Sequence, residues 1–178
     1  MKLILLVACF GVMGCSSLNP VTAFRLARTN PLTVDPSVIR VLVAVPEYFA
    51  VKEDSVLFRI YGENTVLDAR RDRSFVLQHT LTDGMHMFQL SGNDVTALLA
   101  LQAEFNQWKD DHPDASSGGY SVKAQPCSQA RPIAAEDLTG HFSVFIELDP
   151  ETGPMSLLRN VPLSRVAAEF EGQTLPMC

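Results

Sequence analysis

Apolar and polar positions alternate along residues 74–90, and the alternation is interrupted at Asp83-Gly84. That dipeptide suits a two-residue hairpin turn, in which both central positions take positive φ. The turn predicts strand 74–82 against strand 85–90. It also sets the register, with Thr82 opposite Met85, Leu81 opposite His86 and His79 opposite Phe88. One face then carries Phe75, Leu77, His79, Leu81, His86, Phe88 and Leu90 and is expected to be the core face. The other carries Val76, Gln78, Thr80, Thr82, Met85, Met87 and Gln89, where the methionines suit either an adaptable binding surface or packing against a second layer.

The period then changes. Leu98, Leu101, Phe105 and Trp108 recur at helical spacing, with Val95 and Leu99 widening the stripe, which predicts a helix over 91–111. Ser91 is placed to cap it, Asp94 follows three residues on, and Pro113 stops it. Residues 38–45 form a β-branched apolar run ended by Pro46 and read as a strand buried on both sides. Residues 55–61 read as another strand, 62–64 as a turn, and 65–73 as a weak strand or loop. The small residues 115–119 suggest a flexible connection, followed by a short strand at 120–124. Residues 142–148 alternate, 149–154 form a Pro- and Gly-containing turn, and 155–161 return as the partner strand. A short final helix is expected over 163–170. Hairpin-type connections imply antiparallel pairing. The expected fold is α+β, an antiparallel β-sheet with one long helix packed on it, with a β-sandwich capped by the helix as the alternative.

Composition narrows the possibilities. With 47% hydrophobic and 19% charged residues the chain can build a packed core. A formal net charge of −6 argues against a surface that neutralises phosphates, so no nucleic-acid partner is expected. G-x-S-x-G, P-loop, G-x-G-x-x-G and H-E-x-x-H patterns are absent, which points away from an enzyme without excluding one, and no cofactor is implied.

The first fifteen residues have their own pattern: Lys2, an apolar run over 3–13, then Gly14-Cys15. The run is too short to span a bilayer, and a charged start, apolar segment and small residue describe a signal peptide. Val12-Met13-Gly14-Cys15 resembles the lipobox of bacterial lipoproteins. That resemblance covers residues 1–15 only. It implies cleavage before Cys15, a diacylglyceryl group on its thiol, and a membrane anchor. Ser16, where an aspartate would favour the inner membrane, implies the outer membrane facing the periplasm, with the inner membrane or cell surface as alternatives. The expected organisation is a signal peptide over 1–14, a lipidated cysteine and tether over 15–36, and one domain over 37–178. The expected role is a non-catalytic interaction module for another envelope protein. The alternatives are a carrier or sensor with an apolar pocket between sheet and helix, and a metal-dependent enzyme.

Cys9 lies in the leader and Cys15 carries the lipid, leaving Cys127 and Cys178 as an even pair in an oxidising compartment, expected to form a structural disulfide. His79 and His86 fall diagonally across the hairpin on one face, close enough to share a metal or ligand, although no third ligand is evident and core histidines would look the same. Arg70, Arg71 and Arg73 form a basic cluster interrupted by Asp72, a candidate contact for an anionic headgroup or acidic partner as well as a plain solvated loop. His141, near Glu136 and Asp137, reads as a surface histidine more than a general base. His112 suits the end of the helix.

Overall fold

The computed structural model describes residues 32–167 and 174–178. Cys15, the leader and most of the tether lie outside the described residues. In chain order the elements are β1 (Arg40–Ala44), β2 (Phe49–Val51), β3 (Leu57–Asn64), β4 (Ala69–Val76), β5 (Gln78–Thr82) and β6 (Met85–Gln89). The long helix α1 (Gly92–Asp111) follows, then β7 (Ser116–Lys123), β8 (Pro126–Ser128), β9 (Ile133–Ala134), β10 (His141–Glu147) and β11 (Met155–Pro162). A short helix α2 (Ser164–Ala167) and β12 (Thr174–Leu175) complete the order.

The strand ladders among the described residues are antiparallel, and α1 packs on them, so the fold is α+β as the patterning predicts. Two sheets dominate: five strands in the order β11-β10-β1-β6-β5, and three in the order β4-β3-β7. The β5–β6 register is the one read from Asp83-Gly84, with Thr82 opposite Met85, Leu81 opposite His86 and His79 opposite Phe88. Asp83 and Gly84 both have positive φ, 50° and 75°.

The expected strand 74–82 is two strands. Residues up to Val76 pair with β3, Leu77 donates its N–H to the Val56 carbonyl, and from Gln78 the chain pairs with β6 in the other sheet. The crossing places Phe75, Leu77, Phe88 and Leu90 in the core, whereas the far end of the hairpin projects beyond it. Leu81 is 67% exposed and His79 is exposed too, so the predicted core face is core only over its inner half.

Ser91 caps α1 by accepting the Asp94 N–H, as expected. Leu98, Phe105 and Trp108 are buried in the main core with Val56, Ile60 and Phe75. Burying such side chains contributes roughly 1.5–3 kcal/mol each. A second core gathers Phe49, Leu138, Leu163 and Leu175.

Two expected loops are strand. Residues 62–64 belong to β3, and the reversal comes at 65–68. There the buried Asn64 side chain accepts the N–H groups of Val66 and Leu67, an alternative to turn formation at Gly62. Residues 116–119 are the first half of β7, paired with β3 from Asn64 opposite Ser116 to Leu57 opposite Lys123. Small side chains there permit close approach rather than flexibility.

The disulfide forms between Cys127 and Cys178, whose Cα atoms are 5.1 Å apart. It ties the C-terminal tail to β8. Among the described residues no helix is long and apolar enough to cross a membrane.

Candidate functional site

The feature with the clearest capacity to bind is a pocket of about 500 Å³ between α1, the three-stranded sheet and the β10 side of the five-stranded sheet. It falls in the range of roughly 300–1,000 Å³ usual for small-molecule sites. Its origin lies in residue size. In β3 the α1-facing positions are Phe58, Ile60, Gly62 and Asn64, and their β7 partners are Val122, Tyr120, Gly118 and Ser116. Phe105 of α1 sits directly on Gly62, where an added Cβ would lie 2.7 Å from the ring. That contact brings α1 down onto β3. At Gly118 an added Cβ would lie 2.6 Å from the Tyr61 carbonyl oxygen, so glycine lets β7 lie close against β3, and Gly118 and Ser116 line the pocket beside α1.

Apolar walls come from Phe58, Ile60, Leu98, Phe105, Trp108 and Ile146. Two polar side chains of α1 hold another wall: Gln102 donates to the Val34 carbonyl and Asn106 to the Leu32 carbonyl, both at 3.0 Å. Residues 32–34, within the stretch read as tether, therefore lie along α1, and Leu32 and Val34 line the pocket. The lower end of α1 is tied to the sheet by a relay. Asn64 Nδ2 donates to Ser116 Oγ at 3.0 Å, and Ser116 Oγ donates to the Trp108 carbonyl at 2.8 Å. These bonds commit Gln102, Asn106 and Ser116 to the scaffold. Lys109, exposed in the last turn of α1, is the one charged side chain on the lining among the described residues.

The two hairpin histidines do meet. His86 Nδ1 and His79 Nε2 are 3.0 Å apart, a hydrogen bond in which one ring nitrogen carries the proton. The rings are nearly parallel with centroids 5.0 Å apart, and His79 also stacks on Phe88 at 5.0 Å. Burial lowers the proton affinity of His86, and a charge on His79 lowers it further. The pair can share one proton. Among the described residues no group of three or more His, Cys, Asp or Glu converges to hold a metal, so no third ligand joins them.

The arginine cluster does not converge. Arg71 pairs with Glu104 of α1 at 2.8 Å and lies over the Trp108 ring, while Arg73 lies over the Phe75 ring. Alternation puts Arg70 on the other face with Asp72. Asp72 receives Arg59 Nε at 2.7 Å, and that hydrogen bond holds its carboxyl below the usual range. His112 closes α1, donating its N–H to the Trp108 carbonyl. His141 is exposed at the start of β10. Met85 and Met87 lie on the face opposite Phe88, so the helix-side core is not what they pack against.

The pocket itself was foreseen as a possibility, but its lining was not. Ser116 to Tyr120, read as linker and short strand, supplies much of one wall. The available signal was the run of small residues, whose two meanings, flexibility and close packing, look alike in one dimension.

No protein-family model, no curated protein and no solved structure matches the chain.

Proposed function

We propose that this chain is an exported bacterial lipoprotein, anchored through Cys15 to the envelope and most simply to the outer membrane, whose folded part holds a small apolar ligand between α1 and the sheets. The lipobox-like tetrad supports the anchor. The pocket carries the binding reading: roughly 500 Å³, walled by aromatic and aliphatic side chains, with Gln102 and Ser116 on its lining hydrogen-bonded to the scaffold. An apolar cavity on which, among the described residues, no nucleophile and base converge favours a carrier or sensor over catalysis.

Native mass spectrometry of the purified chain tests this. A bound small molecule, or saturable uptake of a fluorescent apolar probe, is expected, with occupancy reduced in Ile39→Trp, which enlarges a side chain on the pocket lining. An apo mass with no probe uptake would end the reading. For the anchor, wild type should label with radioactive palmitate and fractionate with membranes, and Cys15→Ser should do neither.

A second reading, capture of an envelope protein, draws on the hairpin. β5 is an edge of the five-stranded sheet, all five of its residues are exposed, and none is charged or proline. Such an edge is open to strand addition. Leu81→Lys would abolish co-purification of a partner while leaving probe uptake intact. Co-purification unchanged by that substitution would dismiss the hairpin as the contact.

A further inference from the structure

We infer that the pocket takes a single-chain amphiphile with an anionic head, its chain among the apolar walls and its head at Lys109. This rests on the reading that the pocket binds a ligand, and adds the chemistry of that ligand.

The argument begins with the distribution of polarity. Phe58 and Ile60 of β3 and Leu98, Phe105 and Trp108 of α1 line the pocket, and none offers a strong acceptor or a charge. A chain laid there gains about 0.8 kcal/mol for each CH₂ removed from water. A charged head cannot follow it inside without a large desolvation penalty. It must stop at the boundary with solvent, and the charged group at that boundary is the Lys109 ammonium. Lysine suits the position because its alkyl stem can lie along apolar surface while the ammonium stays in water.

Lys109 is also uncommitted. The ion pairs among the described residues are Arg40–Glu147, Arg59–Asp72 and Arg71–Glu104. Lys109 belongs to none of them, although Asp110, Asp111 and Asp114 follow closely in sequence. None of those three carboxylates lines the pocket. The rim therefore presents one positive charge and no negative one, in a protein whose net charge is −6. An anionic head complements that rim, and a cationic head meets repulsion. Lys109 has one competing role, offsetting the negative end of the α1 dipole. That role predicts binding indifferent to the charge of the head.

The test uses the full chain carrying Cys15→Ser, stripped of bound lipid, with displacement of a fluorescent fatty acid by palmitate, methyl palmitate or hexadecylamine. These probes share a chain and differ in head charge. Palmitate is expected to bind about fivefold more tightly than the methyl ester, the size of an exposed charge pair. Lys109→Met should weaken palmitate to the level of the ester and leave the ester unchanged. Lys109→Glu should reverse the preference towards the amine. Equal binding of all three probes to wild type, or a palmitate affinity untouched by Lys109→Met, would overturn the head-group assignment while leaving an apolar pocket in place. Absence of binding by every probe would overturn both the pocket reading and this inference.

Discussion

Replacing Cys127 and Cys178 together by alanine opens a crosslink that spans 51 residues of sequence. In the folded protein little else need change. The tail is held independently: the Ser128 N–H donates to the Pro176 carbonyl at 2.8 Å, and the Cys178 N–H donates to the Ser128 carbonyl at 3.0 Å. β12 pairs with β9, and Leu175 is 1% exposed in the second core. The loss therefore falls on the unfolded chain, which regains the freedom of a loop of that length. The chain-entropy relation puts this at about 4 kcal/mol. Against a total of roughly 5–15 kcal/mol, that is a large fraction. Thermal unfolding should move down by about 10 °C at the usual 2–4 °C per kcal/mol for a chain of this size. In urea the midpoint should fall, and the slope should rise because the uncrosslinked unfolded state exposes more surface. Wild type unfolded in reductant should follow the variant. Coincident urea curves for wild type with and without reductant would refute the reasoning, because the bridge would then contribute nothing.

Three further outcomes follow from local geometry. Gly62→Val places atoms where Phe105 already stands, so it should destabilise by about 1–3 kcal/mol and change probe uptake by the pocket, both readable in one thermal-shift experiment with and without probe. Ser128 Oγ is buried and finds no hydrogen-bond partner among the described residues, so Ser128→Ala should stabilise by about 1 kcal/mol; a lower urea midpoint would contradict this. His86 binds its proton less readily in the fold than its ordinary value of 6.5 allows. As pH falls through that value the unfolded chain protonates first, so stability declines until the folded form is protonated too, and is full above it. His86→Gln should flatten that slope. Asp35 and Asp72, whose carboxyls are also held low by hydrogen bonds, lose their contributions only below 3.8 and do not overlap this window.

Much of the fold was legible wherever a local rule decided the outcome. Asp83-Gly84 specified its hairpin because two adjacent positive-φ residues leave the chain few other ways to turn. Ser91, the apolar spacing from Leu98 to Trp108, and Pro113 bounded α1 for the same reason, since caps and periodicity act within a few residues. The cysteine pair was expected because the lipobox resemblance sets Cys9 and Cys15 aside, leaving Cys127 and Cys178. Misreadings occurred where a residue's role depends on distant neighbours. Asn64 looked like a turn residue, but β7 supplies Ser116 as its partner, so it ends a long strand instead. Leu81 looked buried because its alternation matches Phe75 and Leu77, yet the change of sheet at Leu77 carries it past the core.

Periodicity and turn chemistry thus determined by themselves the long helix and the antiparallel hairpin, since each is a short-range property of the chain. The tertiary structure alone decided where α1 descends, and so where the pocket opens. That depends on Phe105 meeting Gly62, 43 residues earlier in sequence, while Gly118 and Ser116 line the space beside it. A cavity is a volume between elements, and no stretch of sequence contains one until packing brings its walls together.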